Sequence, residues 1–160
     1  MKIAVYGQYY EPNYDSILSE IRSFAKEKSI EVIFEKNFYQ LISTQRPFEA
    51  HTFSTYEELD ASYDVFISIG GDGTILRAAT FVRNSGIPIL GINAGRLGFL
   101  ASIPKERVLH YLDLVFKKEY TLSNRTVLGL ETSINIPELE DINFALNEVS
   151  INRKDTTSMI

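Results

Sequence analysis

Short runs of almost continuous apolar residues alternate with longer amphipathic stretches along most of this chain, and this alternation constrains its fold more than any other feature. Four of the runs fit buried strands, at residues 2–7, 31–35, 64–69 and 87–90. After the first run, apolar residues recur at three- and four-residue steps and predict a helix with one apolar face, formed by Tyr14, Ile17, Leu18, Ile21, Phe24 and Ala25. Further helices are predicted at 38–42, at 74–82 and from Pro104 onward.

Buried strands that are joined by helices indicate a parallel sheet whose two faces are both covered. We therefore predict an α/β fold over residues 1–120, with a Rossmann-like parallel sheet and helices on both faces. Ligands bind beyond the carboxyl ends of the strands in such sheets. Two glycine-rich segments, 70–74 and 91–98, each follow a predicted strand, so they should meet at that edge.

The pattern changes after Tyr120. Residues 121–136 and 142–153 are typical of strands with no helix between them, and a polar segment at 137–140 separates the two. We predict that residues 121–160 are the first strands of an incomplete β-rich second domain, too few to be stable alone. Residues 43–62 are polar and weakly patterned, and they are predicted to form a loop.

Composition excludes several classes of function. The net charge is −5 and the basic residues are scattered, so the basic stripe of a nucleic-acid-binding protein is missing. The chain has no cysteine, and His51 and His110 lie far apart, so we predict no metal site made by the protein. No signal-peptide pattern begins the sequence and no apolar run reaches the ~18 residues of a membrane span. We expect a cytoplasmic protein that binds no membrane.

The segment GGDGT at 70–74 joins a predicted strand to a predicted helix. Bare backbone N–H groups near a helix start favour anions. A carboxylate at Asp72 would instead repel a phosphate by roughly 4 kcal/mol at ~4 Å, for an effective dielectric of ~20. Neither the Rossmann glycine fingerprint nor the P-loop ending is present. An acid inside an anion-binding loop therefore indicates a chemical task for that acid.

Two tasks suit Asp72. It can bind a Mg²⁺ that bridges phosphates, or it can accept the proton of an attacking hydroxyl group, and both tasks belong to phosphoryl transfer. Arg77, one turn into the helix, can supply positive charge, and Thr74 can cap the helix. The alternative is a tight turn in which Asp72 itself caps the helix.

Two further segments offer binding side chains. In GINAGRLGFL, Asn93 supplies a donor and an acceptor, and Phe99 supplies a flat apolar surface for a base ring. The alternative is a glycine-rich connection with Phe99 in the core. In 142–153 the apolar residues change parity at Asn147 and Glu148, which predicts a bulge or a bend. An amide beside a carboxylate can bind ribose hydroxyls. The alternative is a surface turn in which Glu148 is solvated.

The order of the motifs resembles the NAD kinase family: GGDGT followed by ILRAA, then NAGRLGFL, then ALNEVSINR. GGDGT alone is shared with diacylglycerol and sphingosine kinases, and the second and third motifs narrow the resemblance, which extends from Lys2 to Ile160. It implies a kinase that phosphorylates the 2′-hydroxyl of the adenosine ribose of NAD, with ATP or another phosphoryl donor, and produces NADP.

The resemblance also implies the site. Asp72 corresponds to the proposed catalytic base, and the dinucleotide site would comprise Gly71, Asp72, Gly73, Arg77, Asn93, Phe99, Asn147 and Glu148. NAD and ATP are the implied small-molecule partners, Mg²⁺ would arrive with ATP, and the full-length protein would be a homo-oligomer. Two alternatives stay open: a lipid kinase that shares GGDGT, and an NAD-binding module without catalysis.

NAD kinases, which this chain resembles, continue well past position 160. Their β-rich domain supplies a further aspartate and a Thr-Ala-Tyr-type segment for the nicotinamide half of the ligand. We therefore expect residues 1–160 alone to be a weak or inactive enzyme.

Overall fold

The computed structural model describes residues 1–95 and 98–151. These described residues form eight strands, namely β1 (Lys2–Gly7), β2 (Glu31–Glu35), β3 (His51–Phe53), β4 (Val65–Gly70), β5 (Ile89–Asn93), β6 (Ile103–Pro104), β7 (Leu128–Gly129) and β8 (Phe144–Ala145). The helices are α1 (Tyr14–Lys28), α2 (Lys36–Gln45), α3 (Asp72–Val82) and α4 (Val108–Phe116). Short 3₁₀ turns lie at Tyr56–Glu58, Lys105–Arg107 and Pro137–Leu139.

Two compact units share the chain, Met1–Leu122 and Ser123–Ile160. In the first, six parallel strands lie in the order β3-β2-β1-β4-β5-β6. The strand order reverses between β1 and β4, and the carboxyl ends of strands at such a reversal border the ligand crevice of doubly wound sheets. Gly7 at the end of β1 pairs with Ile69 near the end of β4, so the segment that follows Gly70 starts at this crevice.

Helices cover both faces of the sheet. On one face α1, α2 and α4 contribute Ile17, Phe38 and Leu112 to the larger core cluster. On the other face α3 contributes Ala78 and Val82, which pack with the strand residues of a second cluster. The predicted α/β fold, with a parallel sheet and helices on both faces, is confirmed.

A buried carboxylate sets the start of α2. Glu35 at the end of β2 is 2% exposed and caps the helix. Its Oε1 accepts the Asn37 N–H at 3.0 Å and the Asn37 Nδ2 amide at 2.9 Å, while its Oε2 accepts the Phe38 N–H at 2.8 Å. These bonds satisfy two of the free N–H groups at a helix start, which explains why a charged side chain is buried here.

Strand β5 differs from its prediction. The expected strand was 87–90, but the strand runs from Ile89 to Asn93. The Pro88 carbonyl already accepts the Phe66 N–H at 2.8 Å, and the regular pairing begins with the next residue. Gly91 was assigned to an irregular segment, yet it lies inside the strand. The residue is glycine because a Cβ there would lie 3.2 Å from Cγ1 of Ile75 on α3.

The remaining differences concern short elements. The predicted loop 43–62 is wrong in part, because it contains β3 and a 3₁₀ turn. Strand β3 lies at the sheet edge, and its Phe53 is buried between its neighbours. Strand β6 was not predicted. The helix predicted from Pro104 starts with a 3₁₀ turn, and α2 is longer than the predicted 38–42.

The second unit contains a two-stranded sheet. Strands β7 and β8 pair antiparallel, with Leu128 opposite Ala145, and the Leu130 N–H donates to the Asn143 carbonyl at 2.7 Å. In residues 123–151 the strands are much shorter than the predicted 121–136 and 142–153. Residues 152–160, which include the end of the second predicted strand, lie outside the described residues. The domain boundary at 120/121 stays a prediction.

Candidate active site

The turn between β4 and α3 requires glycine at its first position. Gly70 has φ +149°, and a Cβ there would collide with the Thr74 hydroxyl. Thr74 is buried and packs over Gly70. The N-cap residue of α3 is Gly71, and no side chain caps this helix. The predicted capping role of Thr74 is therefore wrong. The helix starts at Asp72, two residues earlier than expected.

Asp72 binds a loop that follows the neighbouring strand. Its Oδ2 accepts the Phe99 N–H at 2.8 Å, and its Oδ1 accepts the N–H groups of Leu100 and Ala101, each at 2.9 Å. The contact forms because Gly70 pairs with Asn93 at the ends of β4 and β5. We call these three N–H groups the amide clamp. Asp72 does not cap its own helix, so that alternative is also wrong.

The amide clamp favours the ionised acid. Hydrogen bonds from the backbone N–H groups of Ala101, Phe99 and Leu100 hold the pKa of the Asp72 carboxyl below its usual value. A carboxylate offers about four lone-pair positions, of which the clamp occupies three. One acceptor position on Oδ2 therefore remains for a further donor.

Space is open above the start of α3. Gly71 and Gly73 are exposed, and a Cβ on either would have no heavy atom within 4 Å. Neither has a positive φ. The fold of the described residues therefore does not require glycine at these two positions. The glycines themselves therefore place no side chain between an approaching anion and the first N–H groups of this 11-residue helix.

Arg77 lies on the exposed side of α3, one turn after Asp72. It interacts with the hydroxyl of Tyr6, a buried residue of β1. Burial raises the pKa of Tyr6 to about 12, and Arg77 partly opposes this shift. The hydroxyl therefore stays protonated and neutral beside a cation at the reversal between β1 and β4.

Asn93 ends strand β5, and Phe99 lies on the loop that follows it and binds Asp72. Asn93 is 3% exposed, its Oδ1 accepts the Gly95 N–H at 2.8 Å, and its Nδ2 donates to the Ala101 carbonyl at 3.2 Å. Its amide thus shapes the loop from within. Phe99 is 96% exposed, so it does not lie in the core. Residues 96 and 97 of the same motif lie outside the described residues.

Asn147 and Glu148 belong to the second unit and are both exposed. Strand β8 ends at Ala145, and the chain bends at Leu146 and Asn147. Of the predicted site residues, the structure thus brings together Gly71, Asp72, Gly73, Arg77, Asn93 and Phe99, while the binding roles of all eight stay predictions.

Within residues 1–95 and 98–151, no three or more His, Asp or Glu residues are grouped so that they could hold a metal ion. Asp72 has one acceptor position left after its three hydrogen bonds. Mg²⁺ is commonly bound by one or two carboxylates together with substrate phosphates, so a metal ion carried by ATP would be part of the substrate.

The predicted site did not include two residues that have structural roles near the carboxyl edge of the sheet. Gly98 lies where a Cβ would be 2.5 Å from Cγ of Asp72, so this role depends on a contact across 26 positions of sequence. Glu35 caps α2, and the local sequence offers little sign of this, because Ser, Thr, Asp and Asn are the usual N-cap residues. The described residues also contain no helix with both the length and the apolar character needed to cross a membrane.

Residues 5–120 match the family model described as the ATP-NAD kinase N-terminal domain. Among curated relatives, the NAD kinase of Flavobacterium psychrophilum is 49% identical over 163 residues, and that of Bacteroides fragilis strain YCH46 is 35% identical over 160 residues. Both alignments cover 100% of this chain, but 55% and 54% of the relatives. The chain thus spans about half the length of the curated relatives it matches.

A solved structure has a similar fold. The crystal structure of yeast NADH kinase complexed with NADH aligns with a TM-score of 0.67 and 20% sequence identity. The alignment covers 85% of this chain and 44% of the yeast protein. At this identity the likeness concerns the fold, and it agrees with the six-stranded parallel sheet described above.

Proposed function

The chain belongs to the ATP-NAD kinase N-terminal domain family, and from this premise we propose that the full-length protein phosphorylates the 2′-hydroxyl of the adenosine ribose of NAD. The phosphoryl donor is ATP with its Mg²⁺, and the products are NADP and ADP. Curated relatives that carry the name NAD kinase support this proposal, at up to 49% identity over the whole chain. Homo-oligomerisation and a cytoplasmic location remain part of the proposal.

The observation that carries the proposal is the position of Asp72. Its carboxylate is ionised and fixed by three backbone N–H groups at the end of β4, next to open space above Gly71 and Gly73. A group that accepts a proton must be held in hydrogen-bonding reach of the reacting hydroxyl. In our proposal the vacant position on Oδ2 receives the 2′-hydroxyl, while the start of α3 receives phosphate oxygens.

The proposed reaction is an in-line transfer. The ribose 2′-oxygen forms a bond to the γ-phosphorus, the bond from that phosphorus to the β,γ-bridging oxygen breaks, and ADP leaves with the electron pair. The hydroxyl proton passes to Asp72 and then to solvent. A carboxylate with a lowered pKa is a weak base. Such a base suits a loose transition state, in which the attacking oxygen keeps its proton until late.

Other residues would supply charge and surface. Arg77 places a cation on the exposed side of α3, from where it can attract the dinucleotide phosphates. The exposed ring of Phe99 offers a flat apolar surface that can stack on a base. We propose that Asn93 holds the loop in place, and that Asn147 and Glu148 take part in NAD binding, as the family resemblance implies.

The proposal is tested with the full-length protein and its Asp72→Asn variant. We expect the variant to reduce NADP formation from NAD and MgATP by about 10²-fold, which is the scale of losing a general base. NAD affinity by calorimetry should stay within about tenfold. Asp113→Asn, the same change at a surface ion pair with Lys117, serves as the matched control. Full turnover in Asp72→Asn would refute the assigned role, and NAD binding without turnover in the wild type would favour the non-catalytic module.

A further inference from the structure

The side-chain space of Gly98 is occupied by the Asp72 carboxylate. A Cβ built on Gly98 would lie 2.5 Å from Asp72 Cγ and 2.7 Å from Oδ2, and it would lie closer still to Oδ1. Real Cβ atoms do not approach other heavy atoms this closely, so either the carboxylate or the loop must move if position 98 gains a side chain.

The carboxyl-terminal end of the loop has little freedom to move. Ala101 is 1% exposed, and a Cβ on Gly91 of β5 would lie 3.1 Å from its Cα. The Ala101 carbonyl also accepts the Asn93 Nδ2 amide at 3.2 Å. Because this end is fixed by the sheet, the collision must be relieved largely by displacing the Asp72 side chain.

We propose that Gly98 is a positioning residue for phosphoryl transfer, because the absence of a side chain there allows the Asp72 carboxylate to seat in the amide clamp and hold its reacting oxygen in place. This inference rests on the proposed function and extends it to a residue that has no polar group. Gly98→Ala displaces the Asp72 carboxylate, and with it the vacant acceptor position on Oδ2, although every group named in the chemistry is still present.

The activity test is a double-mutant cycle in the full-length protein, with Gly98→Ala, Asp72→Asn and the combined variant. We expect Gly98→Ala to lower kcat for NADP formation at least about tenfold, on the scale of a misplaced catalytic group, with a smaller change in KM. In the combined variant, turnover should be no lower than in Asp72→Asn alone. Wild-type turnover in Gly98→Ala, or a combined loss equal to the product of the two single losses, would overturn the proposal.

A second cycle does not depend on activity. Asp72→Ala removes the carboxylate with which the added methyl group of Gly98→Ala would collide. We expect Gly98→Ala to lower the urea midpoint by about 0.5 M in the wild-type background and to change it little in the Asp72→Ala background. Gly129→Ala adds the same methyl group where nothing lies within 4 Å, so its shift should be equal in both backgrounds.

The two cycles separate failure of the inference from failure of the proposed function. Equal shifts for Gly98→Ala in both backgrounds would overturn the packing argument, even if the wild type makes NADP. A wild type that binds NAD and MgATP but forms no NADP would overturn the proposed function and the positioning role with it. Coupling in both cycles supports the inference.

Discussion

Replacing Gly73 by alanine should separate ligand binding from folding. Gly73 is the second residue of α3, its φ is not positive, and its Cβ would have no heavy atom within 4 Å. The folded chain therefore accommodates alanine without strain. Alanine is favoured over glycine in helices by roughly 0.5–1 kcal/mol, so the free energy of unfolding should stay equal or rise by up to that amount.

The expected effect on catalysis is opposite. If a phosphate oxygen approaches the N–H groups at the start of α3, the added methyl group holds that oxygen away and weakens a hydrogen bond to a charged group. Such a bond contributes about 1.5–3 kcal/mol. The loss corresponds to a decrease of about 10- to 150-fold in kcat/KM for MgATP or NAD, at about 1.4 kcal/mol per tenfold.

The assay pairs NADP formation with urea unfolding for the full-length protein, and Gly70→Ala is the comparison. Gly70 has φ +149° and faces the Thr74 hydroxyl, so alanine there should destabilise the fold by about 1–3 kcal/mol. Unchanged kcat/KM in Gly73→Ala would refute the idea that the glycine leaves room for a ligand. A loss of stability equal to that of Gly70→Ala would refute the structural reasoning.

Two further predictions concern acids that bind backbone N–H groups. Because its pKa is lowered in the folded state, Asp72 contributes stability that is present above the unfolded-state pKa of about 3.9 and is lost as the pH falls through the lower folded value. NMR should accordingly show constant Phe99 amide shifts between about pH 5 and 8, where the carboxylate stays ionised, and a titration midpoint below about 3.9 on acidification. A midpoint at or above about 3.9 would contradict the clamp. Glu35→Gln should lower the free energy of unfolding by about 1–2 kcal/mol in urea, because one of the two N–H bonds at the start of α2 loses its acceptor. Glu58→Gln, at an exposed capping box, should cost less, and equal losses would contradict the role of burial.

The sequence was most informative where burial is continuous. Strands β1 and β2 were predicted with their observed bounds, because apolar residues fill both faces of a central parallel strand. Strand β5 was misplaced because Gly91 and Asn93 are typical of loops, and the close packing of Ile75 against Gly91 involves another element that the local pattern does not contain. Single apolar residues at an edge, such as Phe53, give too weak a pattern to identify a strand.

The candidate site was predictable only in part, for a related reason. GGDGT indicated an acid in a glycine-rich turn at the carboxyl edge of the sheet, since these are properties of a local segment that follows a strand. The hydrogen bonds of Asp72 reach residues 27 to 29 positions later, and no local pattern contains them. The packing of Gly98 likewise depends on the pairing of β4 with β5, which places two distant loops side by side.

The order of the strands has a consequence for how the polypeptide assembles. The three strands on one side of the reversal come from residues 2–53, and the three on the other side come from residues 65–104, so each half of the sheet is drawn from one continuous stretch. A nascent chain can thus complete the first half while the second is still being synthesised. The pairing of β4 with β1 joins the two halves, and the same pairing assembles the crevice.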